Sequence, residues 1–233
     1  IDQVRDEIQS AGGPPSGRVV LGLVPTVSCV ISARLARRTV DKYPGISLCI
    51  VESYSGHLME WLHRGEMDLA LIYGPSSDLH LTVQSLGRDP IVAVGPRGSG
   101  LAQKKQVDIG WLLKQTLVLP SHSHGLRALI EQAAAKKKLK LDVKLEADSF
   151  RVLTSLVEEG LGYTLLPPSS VRHEVASGRL ETAAISKPSP MRELTLASPI
   201  DHPGSAAIAL VSELLRSELV ACREEGLWDI KLA

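Results

Sequence analysis

The sequence is nearly without aromatic side chains. They make up 3% of its 233 residues, and Phe150 is its one phenylalanine. Stacking on exposed bases is therefore not its binding mode, and its core has to be aliphatic. Net charge is also missing: Lys plus Arg and Asp plus Glu number 26 each. No overall field draws the chain to nucleic acid, which makes this segment a poor candidate for direct DNA binding. The three cysteines, Cys29, Cys49 and Cys222, are an odd number with no CxxC spacing. That argues against a disulfide framework and a zinc site, and fits a reducing cytoplasm. Cys29 and Cys49 lie in apolar stretches and read as small core residues, with a redox switch left open. No run approaches the roughly 18 apolar residues that span a bilayer, and Ile1 to Ser16 has no secretory apolar core. The chain is expected to be cytoplasmic, without a membrane partner. It starts at Ile rather than Met, which suggests a fragment or processed product.

Catalytic signatures are missing too. There is no GxSxG, HExxH, GxxxxGK[ST] or strand-linked GxGxxG. Gly95-Pro-Arg-Gly-Ser-Gly100 is glycine-rich but has no P-loop lysine. Glu158-Glu159 closes a helix and reads as a solvated pair. The chain is not expected to be an enzyme, and no cofactor is implied.

Hydrophobic residues make up 44% and charged residues 22%, an ordinary globular composition. The pattern alternates strand and helix. Residues 1–16 read as the end of a helix followed by a Gly/Pro linker. Val19 to Val24 is an apolar run that Pro25 ends. The helix that follows puts Val27, Val30, Ile31, Leu35 and Val40 on one face and stops at Tyr43-Pro44-Gly45. Ile46 to Glu52 and Asp68 to Tyr73 are further strands, and Ser55 can cap the short helix between them. This βαβαβ order predicts a parallel sheet covered by helices. A second unit begins near Pro90, with strands at 91–94, 116–119, 143–146 and 161–166 and helices at 111–114, 126–137, 150–159 and 171–177. A late strand, 193–198, and an amphipathic helix, 204–225, complete the chain. The expected organisation is lobe I from 17–89 with 199–233 and lobe II from 90–198, joined by two crossovers. Lys136-Lys137-Lys138 and Lys140 read as a solvated helix end favoured by the helix dipole.

In open α/β sheets, ligands bind beyond the carboxyl ends of the strands. Pro25-Thr-Val-Ser28 has that placement. Thr26 and Ser28 offer hydroxyls at a helix start, where N–H groups and the dipole favour an anion; Thr26 capping its own helix is the plain alternative. Pro120-Ser-His-Ser-His-Gly125 stands in the same position in the second unit. Ser121, His122, Ser123 and His124 are either a polar ligand cradle or an exposed loop. No Asp, Glu or Cys at ligand spacing supports a metal there, and a histidine here could make recognition pH-dependent near neutrality. Ser149, before Phe150, opens a third helix, either touching a ligand or capping.

Taken in order, GRVVLGLVPTVS, YPGISLCIVE, LHRGEMDLALIYGP, DPIVAVGPRGSGLA and VEEGLGYTLLPPS resemble the effector-binding domain of LysR-type transcriptional regulators, from about Gly17 to Leu219. The resemblance implies an α/β fold of two Rossmann-like lobes joined by two crossover strands, like type II periplasmic binding proteins. A small, anionic metabolite would sit between the lobes. Family contacts carry over to Pro25, Thr26, Val27 and Ser28, with Tyr73 at the rim, and to Ser121, His122, Ser123, His124, Ser149 and Phe150. The paired histidines depart from the family pattern. The resemblance also implies homo-oligomers, DNA bound through an N-terminal domain that precedes residue 1, contact with RNA polymerase, and residues 1–9 as the end of a dimerising helix. A transport-type solute-binding protein shares this architecture and is the rival reading. A helix-turn-helix or a signal peptide upstream would separate the two.

Overall fold

A computed structural model describes residues 13–74, 77–122, 124–186, 189–200 and 205–233; Ser123 and the expected helix of residues 1–9 lie outside them. The chain forms two compact units. One comprises residues 1–87, 193–228 and 232–233, the other 88–192 and 229–231.

In the first unit, β1 (Ser16–Leu23) pairs in parallel with β2 (Gly45–Glu52) and with β3 (Leu69–Tyr73). Helices α1 (Pro25–Lys42) and α2 (Ser55–His63) make the connections. Both connections are βαβ units, because parallel neighbours need a crossover of about a dozen or more residues. β11 (Met191–Pro199) pairs antiparallel with β3, which brings residues 193–199 into this unit. With β4 (Leu81–Pro90) and β12 (Lys231–Leu232) the sheet order is β12-β4-β11-β3-β1-β2. The chain passes between the units along β4 and β11.

α1 buries Val27, Ile31 and Leu35 completely. The expected apolar face is corrected at its end. Thr39 is fully buried and Val40 is 62% exposed. The i, i+4 row from Val27 through Ile31 and Leu35 reaches Thr39, and the Thr39 hydroxyl donates to Leu35 O at 2.8 Å, so its polar group enters the core satisfied. The closing helix α7 (Ala206–Glu224) lies on α1. Glu218, with 1% of its side chain exposed, accepts from Arg34 at 3.0 Å and also from Arg38.

The second unit holds two hydrogen-bonded strand sets. One has the order β6-β10-β5-β9, formed by β5 (Val92–Pro96), β6 (Gln106–Val107), β9 (Thr164–Leu166) and β10 (Leu180–Ile185). The other is the parallel pair β7 (Thr116–Leu119) and β8 (Asp142–Glu146). Tyr163 bridges them: its N–H donates to Thr116 O and its carbonyl accepts from Val118 N, both at 2.9 Å. That approach needs Gly162, at φ 155°, where a Cβ would lie 2.7 Å from Thr116 O. The helices are α3 (Ile109–Leu112), α4 (Gly125–Lys136), α5 (Phe150–Glu158) and α6 (Arg172–Ala176), the last entered through a 3₁₀ turn. The core is aliphatic, built from residues such as Leu117, Leu119, Ile130, Leu153, Val157 and Leu165. Among the described residues, no helix is long and apolar enough to cross a membrane.

Candidate functional site

In the first unit the candidate residues gather where β1 and β3 end side by side. α1 starts with Val24 as its N-cap and Pro25 in its first turn, and no side chain caps it. Thr26 is therefore not a cap. It is 8% exposed, and its hydroxyl stands 3.5 Å from the Tyr73 hydroxyl. Tyr73 ends β3, 47 residues away in sequence. Ser55, expected to cap α2, does something else: Tyr54 is the N-cap, and Ser55 Oγ accepts the Tyr73 backbone N–H at 3.1 Å. That bond fixes the last residue of β3 and so places the phenol. Val27 is fully buried and Ser28 is 7% exposed, so both pack α1 onto the sheet. The Val27 and Ser28 N–H groups donate to Val24 O at 2.9 Å. Cys29, expected in the core, is exposed, with its thiol directed to Thr26 O at 3.3 Å. It falls between the buried Ser28 and Ile31 on the outward side of the helix. Cys49 is half-buried and Cys222 buried.

In the second unit, the loops after β7 and β8 are tied together. Asp148 Oδ1 accepts the Ser121 N–H at 2.9 Å, and Leu119 O accepts Ala147 N–H at 3.1 Å. Hydrogen bonds from the Ser121 side chain and then its backbone hold the Asp148 carboxyl below its ordinary value, against the opposing effect of burial. His124 is the N-cap of α4, its Nδ1 accepting the Leu126 N–H at 3.1 Å. A ring nitrogen that accepts carries no proton, so the proton sits on Nε2. Burial, and after it the charge of Arg192, pushes the His124 imidazole below its ordinary value, and Asp148 pulls the other way. His124 is thus a neutral imidazole presenting an Nε2–H donor.

His122 is 70% exposed by side chain and is bound up in a different network. Its Nδ1 is 2.9 Å from Glu131 Oε1, and its Nε2 is 3.3 Å from an Arg127 nitrogen. Since arginine only donates, Nε2 accepts and Nδ1 donates. Arg127, with 5% of its side chain exposed, also donates to Pro120 O at 3.0 Å, Glu146 at 2.9 Å and Glu131 at 2.8 Å. It clamps the start of the loop from beneath. Ser149 is the N-cap residue of α5 but makes no side-chain cap bond, and Phe150 is half-buried against the core with the Arg151 guanidinium 5.7 Å from its ring.

Three participants were not picked out in the sequence: Arg127, Asp89 and Arg192. Asp89 is fully buried, and Arg192, with 9% of its side chain exposed, stands 3.9 Å from it. They occupy β4 and β11, and Arg192 is near enough to His124 to bias its titration. An arginine that burial engages at the start of a strand, as Arg192 is in β11, carries no sequence mark. No group of three metal-ligating side chains forms among the described residues.

Comparison with known proteins gives a consistent result. The model of the family described as LysR substrate binding domain matches residues 12–220. The HTH-type transcriptional regulator BbuR of Bordetella bronchiseptica is 27% identical over 226 residues, covering 97% of this chain and 70% of its own length. A probable hydrogen peroxide-inducible genes activator of Streptomyces viridosporus is 30% identical over 231 residues, covering 94% of this chain and 70% of its own length. Of solved structures, a full-length OxyR variant from Pseudomonas aeruginosa aligns with a TM-score of 0.81 at 23% identity, over 95% of this chain and 74% of that one. The effector-binding domain of QuiR in complex with shikimate aligns with a TM-score of 0.76 at 19% identity, over 87% of this chain and 96% of that one.

Proposed function

The chain belongs to the LysR substrate-binding domain family, and from that footing we propose that it is the sensing part of a cytoplasmic transcription regulator, taking up a small anionic metabolite at its strand-end loops. In the first unit the contacts are Pro25, Thr26 and Ser28 at the start of α1, with Tyr73, while Val27, expected among them, is fully buried and supports them from the core. In the second they are Ser121, Ser123, His124, Ser149 and Phe150, while His122 acts through the Arg127 network that shapes the loop. DNA is bound by another part of the longer protein, which works as a homo-oligomer and meets RNA polymerase there.

One observation carries this reading: Thr26 and Tyr73, far apart in sequence, bring two hydroxyls to one strand-end corner. A capping role alone leaves that arrangement unexplained. The ligand's charge is supported by the first turn of the 18-residue α1, and the neutral His124 offers an N–H donor to it. The carboxylates nearby are engaged, Asp148 with Ser121 and Asp89 facing Arg192. The ligand contributes its differential affinity for two states of the protein, no more, and that difference is passed to the DNA-binding part. The site binds and does not turn over its ligand.

The test is a thermal-shift panel of small carboxylates, including hydroxylated ones of the shikimate type, each beside its neutral amide. At least one acid is expected to raise the melting temperature by mass action while its amide does not. Stabilisation by neutral members only would overturn the anionic assignment.

A further inference from the structure

The zero net charge of the whole chain conceals a division. The unit of residues 88–192 and 229–231 holds seventeen Lys and Arg against eleven Asp and Glu, a net charge of +6, whereas the other unit holds nine against fifteen, a net charge of −6. A unit with that excess sets up a field of its own at short range, whatever the total.

Seven of this unit's lysines lie on the chain segments that meet at α3. Asp108 caps this helix, accepting the N–H groups of Gly110 at 2.7 Å and Trp111 at 3.2 Å, and Lys137, from the end of α4, reaches the same carboxylate at 3.2 Å. Lys104 covers the Trp111 ring, its Nζ 4.5 Å from the centroid. Lys105 is next to Lys104 in the chain, Lys114 follows α3, and Lys136, Lys138 and Lys140 flank Lys137; all are exposed. Among the described residues, Lys137 alone of these lysines makes an ion pair. Three chain segments thus bring ammonium groups together at α3, with Asp108 neutralised between them by Lys137 and with Asp142, held by the Thr116 hydroxyl at 3.3 Å, beside Lys140. This arrangement goes beyond a single solvated helix end.

The chemistry of the face selects its partner. A protein interface is organised about an apolar centre, and none of the large exposed hydrophobic side chains belongs to residues 101–114 or 136–140. Single-stranded nucleic acid is held by stacking on open aromatic faces. Trp111 is half-buried, packed edge-on against Tyr163 at 5.9 Å and covered by Lys104. What remains is lysine, a flexible point charge suited to phosphate oxygens and poorly suited to bidentate base reading.

We propose that this lysine face of the second unit contacts the phosphate backbone of duplex DNA without regard to sequence. The contact is independent of the effector reading, because nothing in it involves the strand-end loops. It adds a salt-sensitive holding contact to whatever sequence recognition the longer protein possesses.

The experiment uses fluorescence polarisation with a labelled random duplex of about 30 base pairs at low salt. It compares the 233-residue chain with a variant carrying Lys105→Gln, Lys114→Gln, Lys136→Gln, Lys138→Gln and Lys140→Gln. Lys104 and Lys137 stay, because they pack on Trp111 and Asp108. The parent chain is expected to bind, with log affinity falling against log salt at a slope of about −2.7 to −4.5 for three to five phosphate contacts. The variant should lose at least about tenfold in affinity and most of that slope. Replacing the same five lysines by arginine should restore binding, which separates charge from folding damage. No duplex binding by the parent, equal binding by the glutamine variant, or equal affinity for polyglutamate of matched charge would overturn the proposal.

Discussion

The Thr26 hydroxyl donates toward the Tyr73 hydroxyl across 3.5 Å, joining the first turn of α1 to the end of β3. The distance is longer than an ordinary hydroxyl–hydroxyl bond, so the contact between them is weak. Removing either hydroxyl should weaken effector binding. Thr26→Val and Tyr73→Phe are each expected to cost on the order of 1 kcal/mol, about fivefold in affinity. Because the two groups share one interaction, the double variant should cost less than the sum. Titration calorimetry with a carboxylate that stabilises the parent chain measures all three. Unchanged affinity in Thr26→Val removes Thr26 from the site.

His124 makes the second unit sensitive to acid. Burial, and then Arg192, lowers its affinity for a proton in the folded state relative to its ordinary value of 6.5. The unfolded chain takes up that proton more readily, so stability is complete above the ordinary value and falls as pH drops below it. Protonation also removes the Nδ1 lone pair that caps α4, a loss of about 1 kcal/mol. In His124→Asn, which caps without titrating, melting temperature should change less between pH 7 and pH 5 than in the parent. Parallel curves would show that His124 does not govern the response.

Glu218 ties α7 to α1. Burial opposes its charge, but hydrogen bonds from Arg38 and Arg34 outweigh that effect and hold the carboxyl below its ordinary value. A lowered carboxyl contributes stability above the ordinary value of 4.5 and loses it as pH falls through the folded value. Glu218→Ala should destabilise the chain by about 1–3 kcal/mol, limited because both arginines can return to water. Urea denaturation at neutral pH measures this directly. A change under about 0.5 kcal/mol, the range of ordinary surface substitutions, would count against a structural role for Glu218.

The cysteines should divide by accessibility. Cys29 lies exposed beside the proposed site, whereas Cys222 is buried, its thiol pushed up by burial. N-ethylmaleimide should modify Cys29 in the folded protein and Cys222 after unfolding. Peptide mass spectrometry reads both sites, and a stabilising carboxylate should slow the Cys29 reaction.

Much of the scaffold was legible because its breaks are chemical. Pro25 ends an apolar run and opens a helix, and Gly74 closes another strand, so the loop at Thr26 could be located from the sequence. β10 was passed over because LETAAI has neither alternation nor a strong apolar run. The outward turn of Val40 was missed because a threonine that bonds its own helix can replace an apolar residue in the core. Within the site, residue types were readable and pairings were not. Ser55 looked like a cap and instead holds the Tyr73 backbone. His124 reads as a ligand donor in the sequence, and the structure shows it as a cap. Arg127 and Arg192 owe their roles to burial among distant segments, which no local pattern encodes.

Native mass spectrometry of the chain purified without denaturation from its own host tests the sensor claim most directly. The parent is expected to carry a small anionic adduct that disappears on unfolding and is depleted in a Thr26→Val, Tyr73→Phe double variant. A parent mass equal to that of the polypeptide at every gentle activation setting, or an adduct retained equally by the double variant, would contradict the account.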